Sequence, residues 1–193
     1  MALPTPFARK LAAVAGDQHS KFHMVNEADP QLCKQIRRYW TELNLGFTSC
    51  SSVPWSAVFV SWCVKQAGAS ATEFKFASAH SVFVHQAIQN ALANKGVFHG
   101  VEITMHPPQV GDIIQNNRGG ATHDYTFAKK HANYTSHSAI VVETGSDALG
   151  RYALTIGGNE SDSIRRTVVR LTKDGFIKQR NANPFICVIK NLR

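Results

Sequence analysis

Between Val53 and Cys63 the chain reads Val-Pro-Trp-Ser-Ala-Val-Phe-Val-Ser-Trp-Cys, an almost unbroken apolar run that opens on a proline and continues to Gly68. Proline is tolerated in the first turn of a helix and glycine favours the residue just past its end, so the segment predicts one helix with fixed limits. A helix apolar on nearly every side has to be surrounded by protein. At 193 residues the chain is long enough to build that surround as one domain. The polar residue at the start of the run, Ser56, then needs an explanation.

The rest of the chain predicts the elements that enclose this helix. Phe7, Leu11, Val14 and Ala15 recur at helical spacing from Pro6 to about Phe22. Leu32, Ile36, Tyr39 and Trp40 share a face of a second helix over Pro30 to Leu43, and a further helix covers about Ser78 to Asn94. Short β-forming segments follow: Val101–Thr104, Asp112–Gln115, Ser138–Glu143, Tyr152–Ile156, Thr167–Leu171 and Phe185–Lys190. Helices first and strands after, mostly with hairpin-length connections, predict an α+β domain with an antiparallel sheet. Residues 1–45 form its N-terminal helical part and 46–193 its core. Asn116 to His131 reads as one long polar loop, a length that in a compact domain points to function or disorder.

No apolar run approaches the roughly 20 residues of a membrane-spanning helix. The opening residues show no uninterrupted apolar core of signal-peptide length, so the expectation is synthesis in the cytoplasm, with export by a dedicated system or release by lysis. The net charge of +8 suits an anionic partner, but the basic residues are spread along the chain and no nucleic-acid motif accompanies them. Cys33, Cys50, Cys63 and Cys187 form no C-x-x-C pair and are expected as free thiols; one disulfide is an open alternative that their spacing does not identify.

Three places carry chemistry. Ser56 begins the buried helix, where unpaired N–H groups and the helix dipole favour developing negative charge, as a nucleophile requires. His137 stands at the mouth of an apolar strand, where a base can be held rigidly. Asn159 follows Gly157-Gly158 at a strand end and could fix the imidazole. Together they make a candidate nucleophile, base and orienter.

These residues, in this order, resemble the papain-like bacterial cell-wall amidases and peptidases of the CHAP and NlpC type. The resemblance rests on Pro54-Trp55-Ser56-Ala57, Pro108-Gln109-Val110-Gly111-Asp112, His137 with Ile140-Val141, and Gly157-Gly158-Asn159, and spans about Tyr39 to Leu171. It is strongest with a bacterial branch that has Pro-Trp-Ser-Ala where others have Pro-Trp-Cys-Ala; Tyr39-Trp40 and the segment around His80 also look like that branch. The resemblance implies a papain-like fold and a peptidoglycan-directed amidase or peptidase with a Ser56–His137–Asn159 site. An exported antibacterial effector or phage-type lysin fits, and an effector implies an immunity partner.

The departure is the serine itself. A thiol beside an imidazole ionises, whereas a hydroxyl must lose its proton during attack, so a retuned site and a catalytically silent binding cleft both fit, as does a hydrolase of another amide or ester. Trp55, His80, His123, Asp124 and Tyr125 are the candidates for substrate contact. Cys63 is too far along the helix to replace Ser56, while Cys50, in the preceding loop, is a minor candidate. Asp112 reads as a structural pin. The histidines lack metal-ligand spacing, so no metal or cofactor is expected; were one bound, the cleft histidines and Asp124 would hold it.

Overall fold

The computed structural model describes residues 3–193. Its first two helices start where the sequence places capping chemistry. Helix α1 (Pro6–Phe22) is capped by Thr5, whose hydroxyl accepts from the Ala8 N–H, and α2 (Pro30–Glu42) by Asp29, which accepts from Gln31 and Leu32. Each places proline in its first turn, where the missing N–H costs no helical bond. The face of α2 buries Leu32, Ile36, Tyr39 and Trp40, and the Tyr39 hydroxyl donates to Gln18 of α1 at 2.6 Å.

Helix α3 (Ser56–Ala67) is the wrapped helix: ten of its twelve residues are buried. Gly68 ends it at φ +111°, a backbone state that glycine adopts without a steric cost. Helix α4 (His80–Leu92) follows. The segment expected as one long loop contains a further short helix, α5 (Tyr125–Lys130), capped by Asp124.

Five of the six expected strand regions are present and the first is displaced, since the expected Val101–Thr104 shares only Val101 with a strand and turns at 103–105: the strands are β1 (Phe98–Val101), β2 (Ile113–Asn117), β3 (Ser136–Asp147), β4 (Gly150–Glu160), β5 (Ser163–Arg170) and β6 (Phe185–Asn191). They form one antiparallel sheet in the order β1-β6-β2-β3-β4-β5. The α+β expectation therefore holds. Among the described residues no helix is long and apolar enough to cross a membrane.

Strand alternation divides the core in two. Ile113, Ile140 and Ile156 join the large cluster beneath the helices, whereas Ile114, Val141, Ala153 and Val169 face the other way and pack with Ile177 and Phe185. Period-two alternation is what allows adjacent residues to serve both layers. Asp112 fixes the entry to β2 as expected: its carboxylate accepts from the N–H groups of Gln109 and Asn191 and bonds the His106 ring at 2.8 Å.

The cysteine expectation is corrected. Cys33 in α2 and Cys50 in the loop before α3 form a disulfide across 17 residues, and Cys63 and Cys187 are the buried free thiols. The bond ties the approach to Ser56 onto a helix, and it removes Cys50 as a nucleophile. Replacing both Cys33 and Cys50 by serine is expected to cost about 3 kcal/mol, the chain-entropy value for a loop of this size. Denaturant unfolding of the two forms, with and without reductant, measures it.

Candidate active site

Ser56 is the first residue of α3; Trp55 holds the capping position but makes no side-chain cap. The Ser56 hydroxyl is therefore not occupied in capping. It forms a buried hydrogen bond with His80 Nε2 at 2.7 Å. His80 opens α4, so the first turns of two helices meet through their side chains. Burial, followed by the nearby His137 and Arg118, holds the His80 pKa well below its ordinary value, and the ring is neutral near pH 7. In the tautomer protonated on Nδ1, Nε2 accepts the Ser56 proton; Nδ1 itself is buried without a partner.

His137 is placed by a split in the sheet. Strands β3 and β4 pair from Asp147↔Gly150 to Ile140↔Ile156, yet β3 begins at Ser136 and β4 continues to Glu160. Beyond Ile140 the two strands part, while the far end of β4 remains paired with β5. His137 occupies the gap. Its ring meets that of His80 edge to face, with centroids 5.2 Å apart, and Nε2 lies 2.9 Å from Glu160 Oε1. The other Glu160 oxygen accepts from the Thr167 hydroxyl at 2.8 Å, so the carboxylate is held at both ends.

Glu160 reaches His137 through an irregularity that the sequence does not advertise. The β4–β5 register slips between Gly158 and Glu160, and Asn159, the extra residue, sits at φ +55°. This bulge brings Glu160 back to the side of Gly157, where a Cβ would lie 2.0 Å from Glu160 Oε1 and 2.9 Å from His137 Nε2. Only glycine leaves room for that hydrogen bond. Gly158, on the opposite side, allows Trp55 and Phe59 of the α3 region to lie against the strand.

Asn159 consequently does not orient His137. Its amide donates to Glu27 Oε2 at 3.0 Å, and the same oxygen accepts from Trp55 Nε1 at 2.8 Å. Glu27, in the α1–α2 connection, thus joins the start of α3 to the bulge. Trp55 is 0% exposed and cannot contact a substrate. The expected triad is replaced by a chain of contacts, Ser56–His80–His137–Glu160, in which His80 takes the hydrogen bond expected from His137 and Glu160 the role expected of Asn159. Nothing in local spacing distinguishes Glu160 from Asn159; the left-handed bulge does.

The neighbouring cleft has a volume of about 240 Å³ and is lined by His137, Asn159 and Glu160, with Arg118 and Arg180 among its walls. Its Ile114, Ala139 and Val169 lining places it on the sheet face away from α3. Ser56 is 2% exposed and lies behind the split, so a ligand in the cleft meets His137 first.

The remaining substrate candidates lie elsewhere. His123 stacks on Phe127 and lines an adjoining cleft. Asp124 is occupied with capping α5, and the Tyr125 hydroxyl donates to the Gly100 carbonyl. Among the described residues no three His, Cys, Asp or Glu side chains gather closely enough to hold a metal ion.

His80 makes stability depend on pH. Unfolded, its imidazole takes a proton near the ordinary value of 6.5; folded, it resists until well below that. The unfolded state then binds more protons, so stability is full above about pH 6.5 and declines as pH falls toward the folded pKa. His19, lowered by burial and then by Arg166, adds in the same direction. The melting temperature is expected to drop between about pH 7.5 and 5, and His80→Gln to flatten part of that drop in a thermal-unfolding series.

A family model described as an uncharacterized protein conserved in bacteria (DUF2272) matches residues 28–187. The chain belongs to the DUF2272 family. The match takes in Ser56, His80, His137 and Glu160, while Glu27 falls just before it. No curated protein matches the DUF2272 chain, and no solved structure does.

Proposed function

We propose that this DUF2272 protein is a papain-like hydrolase of amide or peptide bonds in peptidoglycan, with Ser56 as nucleophile. The observation that carries the reading is the Ser56–His80 hydrogen bond at the start of a buried helix, continued through His137 to Glu160. Ser56 Oγ attacks the carbonyl carbon as its proton passes to the neutral His80, and N–H groups at the helix start meet the oxyanion. His137, held by Glu160, is the histidine nearer the cleft and the departing amine. Collapse of the intermediate breaks the C–N bond and the amine leaves with the proton that His80 took from Ser56; water then attacks the acyl carbon, giving a proton to His80 that passes to Ser56 Oγ as the acid is released. The motif order shared with cell-wall amidases supports the choice of peptidoglycan.

The Cys33–Cys50 disulfide supports work in an oxidising compartment such as the periplasm, since such bonds persist outside the reducing cytosol. An exported effector with an immunity partner or a phage-type lysin fits that setting. One observation favours a second reading: Ser56 is buried behind His137, as suits a wall-binding module that has kept the fold and not the turnover. Incubating the protein with purified peptidoglycan and separating the products by mass spectrometry tests both. New amine and carboxyl termini support the hydrolase; retention on the wall without products supports the binding module.

A further inference from the structure

We propose that Arg118 anchors a carboxylate of the ligand at the junction of two clefts, which makes the site selective for peptides bearing a free carboxylate beside the reacting bond. The inference rests on the hydrolase site above and names the substrate feature it selects. Arg118 follows β2 and lines both the cleft of His137 and the larger one walled by His123, Phe127 and Tyr134. It is half-buried, yet among the described residues its guanidinium has neither a hydrogen bond nor an acidic partner.

The other charges in the cleft are accounted for. Glu160 bonds His137 and Thr167, and Arg180 lies over the Phe185 ring at 4.4 Å with its Nε donating to the Asn183 carbonyl. Of the two guanidinium groups here, Arg118 is the one with no partner among the described residues, Arg180 having one donor committed and a ring beneath it. A planar, half-buried fork of five N–H donors matches a carboxylate, which can accept two of them at once. Because Arg118 borders both clefts, a ligand held there extends into each, with His137 beside it. Gly119 and Gly120 keep the rim open: a Cβ on either would meet nothing within 4 Å.

The test uses the tetrapeptide L-Ala–γ-D-Glu–L-Lys–D-Ala in two forms, with both carboxylates free or both converted to amides. Binding is measured by calorimetry on Ser56→Ala protein, so that turnover does not interfere. The free acid is expected to bind about tenfold or more tighter than the amide. Arg118→Gln should erase that difference with an unchanged melting temperature, and Arg118→Lys should keep part of it. Equal binding of the two peptides, no binding of either, or a preference that survives Arg118→Gln overturns the proposal. Should Arg118→Gln fail to fold, the acid-to-amide ratio on the parent and Arg118→Lys decides. Cleavage of the same peptides by wild type is scored separately: selective binding without cleavage sinks the hydrolase and leaves the anchor standing, and cleavage without selectivity does the reverse.

Discussion

Ser56→Ala abolishes peptidoglycan turnover, by on the order of 10⁴-fold or more, the scale seen when a nucleophile is removed from a catalytic unit. His80→Ala is expected to fall as far, and the double variant little further, because members of one unit do not add. The alanine variant also leaves His80 Nε2 buried without its partner, at a cost of about 1–3 kcal/mol, so a melting curve must accompany each rate. Ser56→Cys is the complementary probe: beside a neutral imidazole a thiol gives up its proton more readily than a hydroxyl, and the variant should retain or gain activity. His137→Ala and Glu160→Gln should lower turnover while the Ser56–His80 pair stays intact. Full activity in purified Ser56→Ala would remove Ser56 from the mechanism.

Gly158→Ala is expected to cost the site both stability and activity. The added Cβ would lie 2.7 Å from Phe59 Cβ, Phe59 Cγ and Trp55 Cζ3. Phe59 Cβ moves only if α3 moves, and Trp55 is held by its indole bond to Glu27. Neither neighbour is a flexible side-chain end, so the substitution is expected above the usual overpacking range of about 1–3 kcal/mol, at about 4 kcal/mol. Denaturant unfolding measures it. A loss below about 1 kcal/mol would show that the helix can shift off the strand at little cost. Since that shift would also carry Ser56 away from His80, activity should decline along with stability.

Much of the fold was legible because its signals are local. Thr5-Pro6 and Asp29-Pro30 are cap-and-proline starts, Gly68 is a helix stop, and the apolar run after Pro54 can only be a buried helix. Helix α5 is not legible because six residues in polar surroundings give too little periodicity, which leaves its cap, Asp124, looking like a free substrate contact. In the site, Ser56 and His137 stand at the foreseen places on their elements, but the partners of each depend on geometry that no spacing encodes. Sequence context makes His80 a candidate substrate contact, whereas in the fold its ring bonds the serine itself. Sequence spacing favours Asn159 over Glu160, and the positive φ of Asn159 reassigns which residue faces the imidazole. Glu27 lies 132 residues from the amide it binds, and the Cys33–Cys50 pairing spans a helix and a loop; only the folded chain brings either together.

The sheet order has a consequence for how the molecule assembles. Strand β6, the last in sequence, lies between β1 and β2, and no hydrogen bond of the sheet joins those two without it. During synthesis the β2–β5 meander can form by successive neighbouring pairings, but β1 has no strand to pair with until residues 185–191 have emerged. Pairings this distant in the chain form slowly, and until then the β2 edge stands open. The nascent chain therefore passes through an interval in which β2 offers an unpaired edge to any other extended segment, and closure of the domain is an event of its last strand.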